Sequence, residues 1–198
     1  MRAVIFDIDG TLLHSSKLDD ETYASAIHDV LGPVQFRKSW SPYKNVSGSG
    51  TLLEILGDNN IGNTASVLRA VEEAFVARIS RYIEKNGPIR EVPSAKDFVS
   101  KLANSSDCQI AYATAGWFAS ARIKLRSSQF PVDGIPLASC NDQIDKVAIM
   151  THALKQLTAP FDSITYYGDG EWDKLAANAL GWNFVPVGEQ LNGLRHFS

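Results

Sequence analysis

The chain opens with a short apolar run that predicts a buried strand. Residues 2–6 read Arg2-Ala3-Val4-Ile5-Phe6, which is nearly continuous in apolar and β-branched side chains. Such a run is typical of a strand that is buried on both faces of a parallel sheet. Comparable short apolar runs predict four further strands, at 109–114, 135–139, 163–167 and 183–187.

Stretches with helical spacing separate the later strands. The pattern predicts helices over 93–103, 119–126, 145–157 and 172–180, with Asp145 as the N-cap of the third. Strands that alternate with helices favour a parallel sheet with helices on both faces. The predicted fold class is therefore α/β, with a Rossmann-like parallel sheet core.

The region between about 18 and 86 has a different, all-helical pattern. An amphipathic stretch runs to Leu31, a short helical piece covers 51–56, and a long helix, capped by Asn63 or Thr64, runs to Lys85. The segment 44–50 predicts a flexible polar loop. We expect a discontinuous core of residues 1–15 and 88–198, with residues 16–87 inserted as an all-helical domain.

Charge and composition exclude several classes of function. The 198 residues are 44% hydrophobic and carry a formal net charge of -3, so no basic excess favours nucleic acid. No apolar run approaches the roughly 18 residues of a membrane span, and Met1 to Asp7 turns acidic too early for a signal peptide. Cys108 and Cys140 form no CxxC pair. We expect a cytoplasmic protein without nucleic-acid or membrane partners.

Polar residues with catalytic potential follow the predicted strands. Asp7 and Asp9 come directly after the first strand, Thr114 ends the second, and Asp169 follows the strand at 163–167. Lys146 opens the helix after the strand at 135–139 and faces the same edge. In open α/β sheets, ligands bind outside the carboxyl ends of the strands. We therefore expect these side chains to form one site.

The chemistry of this set is coherent for phosphoryl transfer. Neighbouring carboxylates raise one another's pKa unless a cation lies among them, and hard oxygen ligands suit Mg²⁺. One carboxylate can then attack phosphorus, while a second protonates the leaving oxygen and later activates water. Thr114, backbone N–H groups and Lys146 are suited to hold the phosphoryl oxygens.

The segment Asp7-Ile8-Asp9-Gly10-Thr11-Leu12 resembles the first motif of the haloacid dehalogenase superfamily. Thr114 is similar to the second motif and Lys146 to the third, while Gly168-Asp169-Gly170-Glu171-Trp172-Asp173 is similar to the fourth. The helical insert resembles the first type of cap, placed as in the phosphoglycolate phosphatase and β-phosphoglucomutase branch. The resemblance covers essentially the whole chain.

The resemblance implies a Mg²⁺-dependent phosphatase that hydrolyses a small phosphate monoester through an aspartyl-phosphate. The implied catalytic residues are the nucleophile Asp7 and the general acid/base Asp9. The implied metal ligands are Asp7, Asp169 and the backbone carbonyl of Asp9, and Asp173 would bind the metal as well or orient its waters. The implied phosphate-binding residues are Thr114, Ala115 and Lys146. Lys44 in the cap loop is a candidate substrate contact. Dehalogenases of the superfamily look different at Asp9, because halide displacement needs no acid.

Three alternatives to a phosphatase remain open at this point. A phosphomutase or a phosphonate hydrolase on the same fold would differ in the cap residues, and a non-catalytic phosphate-binding module would bind without turnover. A calcium loop also contains Asp-x-Asp-Gly, but it needs further acids and a flanking helix, whereas a strand precedes Asp7. The expected partner is a small phosphorylated metabolite, and the oligomeric state is open.

Overall fold

A five-stranded parallel sheet forms the centre of the molecule. The computed structural model describes residues 1–40, 42–62, 64–158 and 160–198. The strands are β1 (Arg2–Phe6), β2 (Cys108–Ala113), β3 (Leu137–Ala138), β4 (Ser163–Gly168) and β5 (Asn183–Pro186). Their order is β3-β2-β1-β4-β5, and every neighbouring pair is parallel. The predicted α/β class is confirmed.

Helices connect the strands in the described ranges of the chain. They are α1 (Ser16–Leu31), α2 (Gly48–Asp58), α3 (Ala65–Asn86), α4 (Ala95–Ala103), α5 (Phe118–Ser127), α6 (Lys146–Lys155) and α7 (Glu171–Ala179). The first three lie between β1 and β2, in the part of the chain that the sequence predicts to be all-helical. Of the helices described, none is both long and apolar enough to cross a membrane.

The two faces of the sheet carry separate buried clusters. Ile5 packs on one face with Ala111 of β2, whereas Phe6 packs on the other with Tyr112. Successive side chains of a strand point to opposite faces, so the continuous apolar run of β1 supplies both clusters. This arrangement explains why polar and apolar residues do not alternate along β1.

The helical segment shares one of these clusters with the sheet. Tyr23 of α1, Leu52 of α2 and Phe75 of α3 belong to the same buried cluster as Ile5 and Trp117. The ring centroids of Phe75 and Trp117 lie 5.0 Å apart, and those of Tyr23 and Trp117 5.5 Å apart. The segment therefore packs through aromatic side chains on Trp117, which lies between β2 and α5.

The ends of several elements differ from the predicted ones. The predicted loop 44–50 is too long, because α2 already begins at Gly48, where Ser47 Oγ accepts a hydrogen bond from Gly50 N at 3.2 Å. Helix α4 begins two residues after Pro93, because Ser94 adopts a left-handed conformation with φ 64°.

Two of the helix caps that the sequence predicts are present at the predicted positions. Asp145 Oδ1 accepts a hydrogen bond from Ala148 N at 3.0 Å, so the predicted N-cap of α6 is confirmed. Thr64 Oγ1 accepts from Val67 N at 3.3 Å and caps α3. The alternative cap, Asn63, lies outside the described residues.

Candidate active site

The carboxyl ends of three neighbouring strands bring the predicted polar residues to one edge of the sheet. Asp7 follows β1, Thr114 follows β2 and Asp169 follows β4. The pairing continues past the strand ends, since Asp7 N donates to Tyr167 O at 2.9 Å and Thr114 N donates to Ala138 O at 3.0 Å. The backbone therefore fixes where these side chains leave the sheet.

Three carboxylates form a tight cluster at this edge. Asp7, Asp169 and Asp173 each offer one oxygen that lies within 4.8 Å of the other two. Asp7 and Asp173 are buried, and Asp169 is partly buried. Asp173 is held by its own turn, because Gly170 N donates to Asp173 Oδ2 at 3.0 Å.

Gly10 allows the close approach of Asp169 to the turn after Asp9. Its φ of +87° lies in the left-handed region, and a Cβ built there would lie 2.0 Å from Asp169 Oδ2. Thr11 Oγ1 donates to Asp169 Oδ1 at 3.4 Å. The segment after β1 thus forms one wall of the carboxylate cluster.

Lys146 is the buried cation of the cluster. Its Nζ donates to Asp7 Oδ1 at 2.7 Å and to Ala113 O at 3.3 Å, and it lies 3.0 Å from Asp173 Oδ1. Burial by itself would lower the pKa of Lys146, but Asp173 and Asp7 raise it well above its ordinary value. Lys146 is therefore charged at neutral pH.

The cluster carries more negative charge than Lys146 balances. Burial raises the pKa of Asp7 well above its ordinary value, against the opposing effect of Lys146, and repulsion from Asp173 adds to the rise. Burial, followed by repulsion from Asp173, raises the pKa of Asp169 to about 7. Buried carboxylates that outnumber the neighbouring basic side chains are stable when a further cation lies among them. Three convergent carboxylate oxygens fit a hard divalent cation.

Asp9 has surroundings different from those of the three clustered carboxylates. Its Oδ1 accepts a hydrogen bond from Ser15 Oγ at 2.5 Å and another from Lys124 Nζ. Its Oδ2 faces the loop after β2, since a Cβ built on Gly116 would lie 3.6 Å from that oxygen. One oxygen of Asp9 is anchored and the other faces the predicted phosphate-binding loop.

The loop after β2 contacts the beginning of α2. Thr114 Oγ1 accepts from Gly116 N at 2.9 Å, and Ala115 O accepts from Gly48 N at 2.8 Å. Trp117 Nε1 also donates to Ser49 Oγ at 3.1 Å. The predicted phosphate-binding residues Thr114 and Ala115 therefore lie directly beneath the helical segment.

Lys44 lies just before α2, in the same segment. Its side chain is exposed, and its backbone N donates to Glu54 Oε2 at 3.2 Å. Among the residues that the structure describes, no hydrogen bond or ion pair joins its side chain to the carboxylate cluster. Its predicted contact with substrate stays a prediction.

Three polar residues of the site do not follow from the sequence motifs. Ser15 and Lys124 contact Asp9, and Asp19 of α1 accepts a hydrogen bond from Lys124 Nζ at 2.6 Å. One signal for Lys124 does exist in the sequence. It falls on the same helical face as Ala121 and Leu125, which are buried, so a charge is expected there only if it is paired.

Comparison with known proteins agrees with this fold. The family model described as haloacid dehalogenase-like hydrolase matches residues 1–181. The chain belongs to this family and is a hydrolase of it. A comparison with the sequences of curated proteins gives no significant match.

Solved structures share the fold at low sequence identity. A hydrolase from Pseudomonas syringae superposes with a TM-score of 0.72 at 22% identity, over 94% of this chain and 84% of that one. A mutant of CbbY from Rhodobacter sphaeroides in complex with xylulose-(1,5)bisphosphate gives 0.72 at 20%, over 98% and 92%. β-Phosphoglucomutase from Clostridium difficile gives 0.72 at 17%, over 96% and 86%. The family model confirms the predicted family, and the solved structures share the predicted fold.

Proposed function

We propose that the chain is a Mg²⁺-dependent phosphatase that hydrolyses a small phosphate monoester through an aspartyl-phosphate on Asp7. One observation carries this proposal. The Asp7 carboxylate follows β1, is bound by Lys146 at 2.7 Å and has an oxygen within 4.8 Å of oxygens of two further carboxylates. A buried carboxylate held in this way is oriented for attack once a cation offsets the surplus charge.

The first step transfers the phosphoryl group to the protein. A carboxylate oxygen of Asp7 attacks phosphorus, and the bond between phosphorus and the ester oxygen breaks. Asp9 donates a proton to the departing oxygen, which leaves as an alcohol. The Oδ2 atom of Asp9 is suited to this transfer because Ser15 and Lys124 bind the other oxygen.

The second step regenerates the carboxylate of Asp7. Asp9, now ionised, takes a proton from a water molecule that attacks phosphorus. The bond between Asp7 and phosphorus breaks, and inorganic phosphate leaves. Lys146, the Thr114 hydroxyl and the backbone N–H of Ala115 would bind phosphoryl oxygens in both steps.

The carboxylate cluster supplies the ligands for the cofactor. Asp7, Asp169 and Asp173, with the backbone carbonyl of Asp9, would hold Mg²⁺, which supplies positive charge that screens the phosphoryl group from an anionic nucleophile. Asp173 is oriented for this role by Gly170 N. Fixed carboxylates reduce the reorganisation that metal binding requires.

Residues 16–87 would act as a cap domain over a core of residues 1–15 and 88–198. The hydrogen bond from Gly48 N to Ala115 O, at 2.8 Å, supports this role because it joins the segment to the proposed phosphate-binding loop. A cap that closes there would exclude bulk water and position the substrate. Lys44, just before α2, would contact the substrate.

The structural neighbours suggest where the search for a substrate should begin. The CbbY mutant holds xylulose-(1,5)bisphosphate, and another neighbour is a β-phosphoglucomutase. Phosphorylated sugars are therefore the first compounds to test. Release of free phosphate separates a phosphatase from a mutase, which returns a phosphorylated product.

The experiment is a release assay on a panel of sugar, nucleotide and two-carbon phosphates with Mg²⁺. We expect phosphate release from at least one compound, its loss with EDTA and its recovery when Mg²⁺ is restored. The matched pair of variants is Asp7→Asn, which should be inactive, and Asp97→Asn, an exposed aspartate of α4 that should be fully active. No release from any compound, or release that EDTA does not affect, would overturn the proposal.

A further inference from the structure

We infer that Lys124 is a positioning residue that sets the orientation of Asp9 for proton transfer. The inference deepens the proposed function and rests on the acid role of Asp9 stated there. Lys124 belongs to α5, ten residues beyond Thr114, and is not part of the motifs that identify the family. It acts through Asp9 and does not itself need to touch the substrate.

The burial of Lys124 is the first observation. None of its side chain is exposed, although lysine is among the residues least often fully buried. A buried ammonium is tolerated when carboxylates pair with it. The sequence places it between Ala121 and Leu125, on the buried face of α5, where an apolar residue would fill the same space.

The second observation is that the two carboxylate oxygens of Asp9 have different surroundings. Lys124 Nζ and Ser15 Oγ both donate to Oδ1. Oδ2 is left on the side of Gly116, at the turn that follows Thr114. Two donors on one oxygen fix the rotation of the carboxylate, and this rotation turns the other oxygen towards the proposed phosphate-binding loop.

Asp19 provides the third observation, because it holds Lys124 from the opposite side. Lys124 Nζ donates to Asp19 Oδ2 at 2.6 Å, while Asp19 Oδ1 is buried without a hydrogen-bond partner among the described residues. The second carboxylate prevents the long lysine side chain from leaving Asp9. Asp9, Asp19 and Lys124 come from the turn after β1, from α1 and from α5, respectively.

Misplacement of the Asp9 carboxyl group should lower kcat/KM far more for some substrates than for others. An alkyl phosphate has a poor leaving group that needs a proton, whereas p-nitrophenolate leaves without one. The value of kcat/KM reports the steps up to departure of the leaving group, so later hydrolysis of the aspartyl-phosphate does not obscure the comparison.

The test measures kcat/KM of Lys124→Gln on an alkyl phosphate that the protein hydrolyses and on p-nitrophenyl phosphate. We expect a loss of about 10- to 100-fold on the alkyl ester, since an error of about 1 Å in placing a catalytic group can cost about 100-fold. On p-nitrophenyl phosphate the loss should stay below about threefold, because this ester needs little acid catalysis. Inhibition by inorganic phosphate should not change.

A charge-balanced variant keeps the test valid if Lys124→Gln does not fold. Lys124→Met combined with Asp19→Asn removes one positive and one negative charge together and leaves Asp9 with Ser15 alone. It should show the same selective loss. Lys101→Met combined with Asp97→Asn, at two exposed positions of α4, is the matched control, and it should retain activity on both esters because neither residue belongs to the site.

Asp9→Asn distinguishes failure of this inference from failure of the proposed function. If Asp9→Asn shows no selective loss on the alkyl ester, the acid role fails and the inference falls with it. If Asp9→Asn shows the loss but the Lys124 variants lose activity equally on both esters, or lose none, Lys124 is merely structural. In the Asp9→Asn background, a further Lys124→Gln change should have no additional effect on the alkyl ester.

Discussion

Lys146 Nζ lies 2.7 Å from Asp7 Oδ1, and this ion pair is almost completely buried, with 5% of the lysine side chain and 8% of the aspartate side chain exposed. The lysine comes 139 residues after its partner. It stands at the beginning of α6 and reaches Asp7 from across the sheet edge. The proposed nucleophile is therefore fixed by a tertiary contact and not only by its own turn.

Replacement of Lys146 by methionine should destabilise the metal-free protein. The change leaves Asp7 and Asp173 buried without their cation, and breaking a buried ion pair in this way costs about 3–5 kcal/mol. Urea denaturation in EDTA measures the effect on the free energy of unfolding. Lys101→Met, at an exposed position of α4, is the control and should change it little. Equal stability of the two variants would contradict the pairing.

Replacement of Gly10 by alanine should weaken Mg²⁺ binding and lower turnover, although it removes none of the proposed metal ligands. The new Cβ would lie 2.0 Å from Asp169 Oδ2, and the φ of +87° disfavours any side chain. Asp169 must move, so both Mg²⁺ affinity and turnover should fall by at least about tenfold, as when the partners that orient a metal ligand are removed.

Gly57→Ala is the matched control for that change. Gly57 lies inside α2 and, apart from its chain neighbours and the backbone of its own helix, no atom of the described residues lies within 4 Å of a Cβ built there. Alanine there should stabilise the protein by about 0.4–1 kcal/mol and leave turnover unchanged. Thermal denaturation and a phosphate-release assay compare the two glycines. Normal Mg²⁺ affinity in Gly10→Ala would show that the close approach is dispensable.

Mg²⁺ should bind more tightly as pH rises towards 7. The pKa of Asp169 in the metal-free protein is about 7, compared with an ordinary 3.8, so a proton must leave this carboxyl before it can bind a cation. The contribution of this single proton should therefore raise the affinity by at most about tenfold per pH unit and level off above 7. Calorimetric titration between pH 5.5 and 8 measures it, and Asp169→Asn should remove this contribution and leave the contribution of Asp7, whose pKa is also raised.

The raised pKa of Asp169 should also make the stability of the metal-free protein depend on pH. Between about 3.8 and about 7 the native carboxyl of Asp169 binds a proton that the unfolded chain has lost. The metal-free protein should therefore lose stability as pH rises through this window, and Mg²⁺ should restore it. A constant effect of Mg²⁺ on the melting temperature across the window would contradict this assignment.

Lys44→Ala tests the predicted substrate contact from the segment before α2. If Lys44 binds the substrate away from the reacting phosphorus, KM should rise while kcat stays near its original value, because uniform binding is lost. Lys38→Ala, another exposed lysine of the same segment, is the control. A fall in kcat at constant KM would place Lys44 in a different role.

The sequence predicts the parts of the site that each strand end carries by itself. Asp7, Thr114 and Asp169 follow short apolar runs, and a parallel sheet brings such ends to one edge. The five strands and the all-helical segment follow from periodicity in the same way. Their boundaries shift where a local conformation decides, as at Ser94, whose left-handed φ delays the start of α4.

The contacts made across the chain could not be predicted in this way. The pairing of Lys124 with Asp9 spans 115 residues and depends on how α5 packs beside the turn after β1. No spacing rule links those two positions. The contact of Gly48 with Ala115 also depends on how the helical segment packs against the sheet, which hydrophobic periodicity does not specify.

The central claim is that Asp7 carries the phosphoryl group during turnover, and rapid acid quench followed by peptide mass spectrometry tests it most directly. In the presence of Mg²⁺ and a turned-over phosphate monoester, we predict a phosphorylated peptide that contains Asp7 and loses its phosphoryl group in hydroxylamine. The peptide should be absent from Asp7→Asn. Continued turnover by a folded Asp7→Asn variant, or a phosphoryl group found on another residue, would contradict the account.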